Sequence, residues 1–395
     1  MKILVINSGS SSIKFQILEM PSEEVICKGL VERIGSEQSE IHYAARDDSY
    51  SHTSPLENHQ ESLEAITQLL LDTNLGVLDT TEEIDVVAHR VVHGGSSFNA
   101  PTVVDASVLA EIEKLATLAP LHNPANALGI KVATAIFKNA AQVAIFDTAF
   151  FQTLPEKAYL YAIPKKMASE HHIRVYGFHG TSHKYVSERA IDYLKNPSSK
   201  IISIHLGNGC SMTAIKDGKS IDHSLGFGPT DGLIMGTRSG AIDLSVIFYL
   251  MDSLGLSSKE VNQLLQKQSG LLGLTGQSDL REVQNGAEQG NKDCQLALAM
   301  TAYRIQKYIG SYFAVLNGLD AIIFTAGIGE NSSVLRQMVC ENLDALGIQI
   351  DVEKNKQRNS GISEIQQVGS KLKILVIPTN EELEIAKQAY LLKSE

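Results

Sequence analysis

Two hydrophobic rhythms run along this chain. Ile3-Leu4-Val5-Ile6 is a continuous, β-branched run, the signature of a strand buried on both faces. Ile13, Phe15 and Ile17 alternate with Lys14 and Gln16, which predicts a half-covered strand. Between them lies a tip of small polar residues, Asn7 to Ser12, so the pair reads as a hairpin. The pattern returns at Ile201 to Ile215, where a buried run enters Gly207-Asn208-Gly209 and a second strand leaves. Shorter strand patterns lie at Val25 to Val31, Ile41 to Ala45, Ile84 to Ala88, Gln142 to Phe146, Ala321 to Thr325 and Ile374 to Ile377.

Helical spacing fills the gaps. Leu63, Ile66, Leu69 and Leu70 share one face, and Asp105 is placed to cap a helix carrying Val108, Leu109, Ile112, Leu115 and Leu118. Asn123-Pro124 opens another, with Pro at the first helical position. Further helices are expected through Ile191 and Leu194, at 241–253, 258–268 and 292–317, from about Ser332, and after Pro378. Residues 46–60 are polar and without period, and read as surface. Strands alternating with helices predict an α/β protein.

Length and charge narrow the picture. A chain of 395 residues is long for one core, and texture changes at Pro155 and Pro164, so a domain boundary is expected near 150. The two similar hairpins suggest one copy of a common unit in each half. A net charge of −11 argues against a general nucleic-acid or anionic-membrane surface. No stretch approaches the roughly 18 apolar residues of a membrane span. Four cysteines without CxxC pairing suit a reducing cytoplasm.

The candidate chemistry sits at strand ends and in glycine-rich turns. The first hairpin tip, with four serines around Gly9, suits either an ordinary polar turn or a phosphate cradle, with Lys14 as a point charge beside it. Arg90 lies between His89 and His93, before paired glycines; two histidines without a third ligand favour packing over metal. Asp147 ends a strand, where α/β sheets face their ligand crevice, and a turn or cap role fits it equally. His179 stands between Phe178 and Gly180 ahead of a helix, a place suited to an anion. Arg238 is the only cation of the glycine-dense stretch 226–240. Gly327 and Gly329 could admit a nucleotide, and no GxxxxGK[ST] motif is present.

Taken together, Val5 to Phe15, His89 to Gly95, Gly177 to His183, His205 to Gly209, Met235 to Ser239 and Phe324 to Asn331 resemble the motifs of the acetate kinase (acetokinase) family, in order. The resemblance implies two similar actin-like or sugar-kinase-like (ribonuclease H-like) domains, each with a mixed five-stranded sheet, with ATP in the cleft between them. It implies domains at 1–149 with 380–395, and at 150–379. It implies a cytoplasmic homodimer that moves the γ-phosphoryl group of ATP reversibly to acetate, directly and in line, with Mg²⁺ or Mn²⁺. Arg90, Asp147, His179 and Arg238 would be catalytic, and Asn7 and Glu381 metal-linked. Lys14, Ser10, Ser12 and the tip His205-Leu206-Gly207-Asn208-Gly209 would line the phosphates. Asp279-Leu280-Arg281 and Gly327-Ile328-Gly329-Glu330-Asn331 would hold the adenosine, and Val92, Leu121, Phe178 and Pro229 the acetate methyl. A propionate or butyrate kinase is the nearest rival. An actin-like or chaperone-like ATPase is the more distant one, since it needs no Arg90, His179 and Arg238 together.

Overall fold

The computed structural model describes residues 1–46, 48–357 and 360–394. The chain forms two compact units, Met1–Phe150 with Asn380–Glu395, and Phe151–Thr379. In the first unit the strands are β1 (Lys2–Ser8), β2 (Ser12–Glu19), β3 (Glu24–Glu32), β4 (Ser36–Ala45), β5 (Asp48–Leu56), β6 (Val86–Val91), β7 (Thr102–Val103) and β8 (Ala141–Phe146). Their order is β5-β4-β3-β2-β1-β6-β8-β7, with β1/β6 and β6/β8 parallel and the other pairs antiparallel. The second unit holds β9 (Lys200–Leu206), β10 (Cys210–Lys216), β11 (Lys219–His223), β12 (Ala321–Thr325), β13 (Ser363–Glu364) and β14 (Lys373–Val376), in the order β11-β10-β9-β12-β14-β13. There β9/β12 and β12/β14 are parallel. The expected five-stranded mixed sheet is therefore present twice, as β3-β2-β1-β6-β8 and β11-β10-β9-β12-β14. Antiparallel additions widen it to eight strands in one unit and six in the other.

β1 runs through the middle of its sheet because its side chains are apolar on both faces. Ile3, Leu4, Val5 and Ile6 are at most 1% exposed. At about 1.5–3 kcal/mol for each buried aliphatic side chain, these four contribute roughly 6–12 kcal/mol as an upper figure. One face is covered by the helix His59–Leu70 together with Val132 and Ala133 of the helix Asn123–Ile136 and Phe137 just after it. The C-terminal helix Glu381–Ser394 packs against β1, β2, β6 and β8. β2 is consequently more buried than its alternation predicts: Gln16 is buried, and Lys14 alone of its interior positions stays exposed. Gly29 of β3 is required by this packing, since a Cβ there would sit 2.3 Å from the Phe15 ring.

Two segments form elements that the sequence pattern did not predict. Within 46–60, Asp48–Leu56 is a strand, β5, paired along β4; Asp47 lies outside the described residues. It shows no apolar period because it is the sheet edge, mostly exposed, and its ladder is supplied by β4. Ala326–Asn331, the glycine-bearing stretch ahead of the helix expected from about Ser332, is itself helical, and Ser332 caps the next helix, Ser333–Cys340. Helices Leu244–Asp252, Ser258–Lys267 and Lys292–Leu316 lie where expected. The last buries Cys294, Ala297, Leu298, Thr301, Ala302, Ile305 and Ile309, one face at helical spacing. Among the described residues no helix is long and apolar enough to cross a membrane.

Candidate active site

In the first unit the carboxyl ends of the parallel strands bring three predicted residues together. Asn7 comes from β1, Arg90 from β6, and Asp147 from the turn after β8, where its N–H donates to the Val91 carbonyl at 3.0 Å. Arg90 Nε lies 3.1 Å from both Asp147 carboxylate oxygens and its Nη2 lies 2.5 Å from Oδ2, a two-pronged charge-assisted pair. Arg90 Nη1 reaches Asn7 Oδ1 at 3.4 Å, and Glu381, at the start of the C-terminal helix, stands 4.0 Å from Nε. Asp147 is 1% exposed and Arg90 20%. Burial pulls the Arg90 pKa down, but Asp147 and Glu381 outweigh it, and the guanidinium is held above its usual value.

The tip of the first hairpin is braced from behind. Gly9 N–H donates to Ser12 O at 2.8 Å, while Ser10 is exposed. His59 Nε2 bonds the Gly9 carbonyl at 2.6 Å, and Asn126 Nδ2 donates to Ser8 O at 2.8 Å. Asn126 also accepts the Val92 N–H at 3.0 Å, so one buried amide ties the tip to the residue after β6. Lys14 pairs with Glu382 at 2.7 Å. Val92 is half-buried and Leu121 52% exposed. His89 is buried with Nε2 bonded to Gln142 Oε1 at 2.8 Å, and burial lowers its pKa to about 4, so its role is packing.

The second unit gathers the remaining residues. His179 caps the helix Gly180–Leu194 with φ 62°, a left-handed conformation rare for a residue with a Cβ. Its ring stacks on His205 with centroids 4.3 Å apart, and Nδ1 meets Ser211 Oγ at 2.9 Å. His205 Nδ1 bonds Ser182 Oγ, which receives the Thr379 hydroxyl at 2.9 Å. Both His179 Nε2 and Arg238 Nη1 border the turn at Gly209, where a Cβ would lie 3.3 and 3.8 Å from them. Arg238 donates from Nη1 to the Pro229 carbonyl at 2.9 Å, and burial lowers its pKa. Its loop is pinned on several sides: Ser239 N–H to Leu265 O, Leu271 N–H to Met235 O, and Arg304 to the carbonyls of Gly232 and Ala241. Gly270 (φ +62°) has to be glycine, because a Cβ would come 2.1 Å from Met235 O. Phe178 is buried, and its N–H donates to His223 Nε2 at 3.1 Å.

Beside this cluster, still within the second unit, lies a cleft of about 920 Å³ lined by Gly207, Asn208, Asp279, Leu280, Arg281, Gly327, Ile328 and Asn331, together with Gln284, Asn285 and Glu288. Asp279 caps the helix Leu280–Glu288 and pairs with Arg281, which holds its carboxyl below the usual range. Gly329 and Glu330 do not line the cleft. The Gly329 carbonyl accepts from buried Arg336 at 2.8 Å, and Glu330 accepts the Thr379 N–H at 3.0 Å. The sequence reading missed Asn126, His59, His183, Ser211, His223 and Arg336. The pair Asn123 and Asn126, two amides beginning a largely apolar helix, was the one visible signal.

Comparison with known proteins agrees across the whole chain. The sequence profile described as the Acetokinase family matches residues 2–387. The acetate kinase of Flavobacterium johnsoniae is 59% identical over 390 residues, 99% of each chain. That of Thermotoga petrophila is 50% identical over 392 residues, 98% of this chain and 97% of the other. Among solved structures, Porphyromonas gingivalis acetate kinase superposes with a TM-score of 0.94 at 41% identity, covering 99% of both chains. A propionate kinase from Francisella tularensis gives 0.92 at 43% identity, covering 98% of both. A profile match over nearly the full length, with relatives this similar end to end, establishes that the chain belongs to the Acetokinase family.

Proposed function

We propose that this protein is an ATP:acetate phosphotransferase that forms acetyl phosphate and ADP, and that the reaction runs in reverse as well. The observation that carries the nucleotide half is the cleft of about 920 Å³, where Gly207, Asn208, Asp279 and Gly327 meet at turns and helix starts. Relatives named acetate kinase support the acceptor. Acetate, with a carboxylic pKa near 4–5, is ionised at neutral pH and needs no general base. The problem to solve is repulsion between two anions, so cations and hydrogen-bond donors carry the catalysis. Arg90 binds the acceptor carboxylate, with Asp147 fixing its fork in place. Arg238 and His179 stabilise the transferred phosphoryl group.

Asn7 and Glu381 offer oxygen donors beside Arg90, which suit a hard divalent cation such as Mg²⁺, with Mn²⁺ as a substitute. When bound, the ion neutralises phosphate charge. Asn7 and Glu381 would hold it. A homodimer is the state we favour, because the helix Leu244–Asp252 buries none of its residues and exposes Leu244, Phe248 and Tyr249 by more than half. Sedimentation of the purified chain at micromolar concentration checks this, and a monomer there refutes it.

The activity test is coupled ADP formation with acetate, propionate, butyrate and no acid. Highest kcat/KM with acetate is expected; ADP formation independent of any acid would make the protein an ATPase instead. The propionate kinase among its structural neighbours makes chain length worth a direct probe. Val92→Ala should shift kcat/KM toward propionate by about 10-fold, the worth of one methylene in an apolar pocket. An unchanged acetate-to-propionate ratio removes Val92 from the pocket.

A further inference from the structure

Behind His179 runs a buried line of alternating hydroxyls and imidazoles. His179 Nδ1 lies 2.9 Å from Ser211 Oγ, Ser211 Oγ 2.7 Å from His183 Nε2, and His183 Nδ1 2.9 Å from Ser203 Oγ. Ser203, His183 and Ser211 are 0% exposed. Among the described residues, these bonds are all that the side chains of Ser203, His183 and Ser211 make. We propose that Ser203, His183 and Ser211 act as a one-way relay that holds neutral His179 in its Nε2–H tautomer. The proposal rests on the reading of His179 as a donor to the transferred phosphoryl group.

The direction follows from counting protons. Burial, with His223 and His205 nearby, pushes the His183 pKa well down, so its ring is neutral and carries one N–H. If that N–H is on Nδ1, it donates to Ser203. Ser211 must then donate to His183 Nε2, and His179 Nδ1–H to Ser211. This arrangement leaves the Ser203 hydroxyl proton buried with no acceptor, which forfeits the hydration of that group with nothing in return. If the N–H is instead on Nε2, every proton has a place. Ser203 donates to His183 Nδ1, His183 Nε2–H donates to Ser211, and Ser211 donates to His179 Nδ1. His179 then accepts at Nδ1, and as a neutral ring it carries its proton on Nε2, the nitrogen beside Gly209 and Arg238. A neutral donor is thereby obtained without adding positive charge to a ring stacked on His205. Ser211 and His183 are positioning residues, since each acts through His179.

Histidine-¹⁵N-labelled protein, observed by long-range proton–nitrogen correlation at pH 8, tests the idea in the unmodified chain; His179→Gln identifies the His179 signals. Expected is Nε2–H with a bare Nδ1 for both His179 and His183. Nδ1–H on His179 would overturn the relay. Ser211→Ala should blur the His179 tautomer and lower kcat by about 10–100-fold, the usual cost of losing an orienting partner. The nucleotide KM should stay within about two-fold, and Ser211→Thr should recover most of kcat. A Ser211→Ala protein with parental kcat and an unchanged tautomer refutes the proposal. Failure of the parent to phosphorylate any acid would refute the phosphotransferase reading instead, and leave the tautomer measurement standing.

Discussion

Arg90 and Arg238 are the same side chain in two opposite electrostatic settings. Arg90 is gripped by a buried carboxylate, with a second carboxylate 4.0 Å away, and its pKa is raised. Arg238 makes no ion pair among the described residues; a carbonyl, Pro229 O, and the Met235 sulfur at 3.8 Å hold it, and burial lowers its pKa. Arg90 therefore arrives with most of its charge compensated and its planar fork fixed. Arg238 is a partly desolvated cation with no carboxylate to balance it among the described residues. On the function proposed above, the first arrangement would position a carboxylate acceptor and the second would stabilise charge that develops during transfer.

The sharpest way to break this contrast is Arg238→Ala. It should cut kcat by roughly 10²–10⁵-fold, the span for oxyanion donors and arginine fingers, while nucleotide affinity changes only a few-fold. Steady-state kinetics with equilibrium nucleotide binding measures both, and a near-parental kcat would end the assignment. Melting temperature should hold or rise, because a half-buried charge without a counter-ion among the described residues is removed. Asp147→Ala should do the reverse. It leaves Arg90 largely buried without its partner, at a cost of about 3–5 kcal/mol, and should lower the melting temperature as well as activity. Equal thermal effects from the two variants would mean that the arginines are not in different settings.

A smaller effect separates the sites from the imidazoles around them. His89 and His93 in the first unit have pKa values lowered to about 4, and His223 in the second to about 3, all chiefly by burial. An unfolded histidine takes up a proton below about 6.5, and these folded ones resist it. Their stabilising contribution is thus complete above pH 6.5 and is lost as pH falls from 6.5 toward 4, by up to about 3 kcal/mol for His89. Urea unfolding at pH 7.5 and 5 should show the decline, and His89→Asn should flatten it. A parental slope in that variant would show that His89 takes up its proton as readily in the native protein as in the unfolded chain.

The fold was largely legible because its strands are extreme. Ile3 to Ile6, Ile201 to Leu206 and Ala321 to Thr325 are buried on both faces, and a continuous β-branched run has few alternatives. Asp48–Leu56 was illegible because an edge strand takes its order from its neighbour and leaves no periodicity of its own. Ala326–Asn331 was not legible as a helix because its glycines favour other conformations. There the helical turn is held by Arg336, which donates to the Gly329 and Glu330 carbonyls from a buried position.

The same division runs through the site. By itself the sequence determined which residue types stand at the strand ends and turns: Asn7, Arg90, Asp147, His179, Arg238 and the glycines that admit close backbone approach. Those are local facts, written in adjacent residues, and they were sufficient for the family resemblance. Only the tertiary structure decided how each group is charged and aimed. Arg90 and Asp147 are 57 residues apart in sequence, His183 and Ser203 are 20 apart, and Gly270 lies beneath a loop some 30 residues earlier. A pKa, a tautomer or a fixed guanidinium depends on distances of 3 Å between such groups and on the water excluded around them. No local pattern carries that information, because it comes into being when the sheets and helices pack.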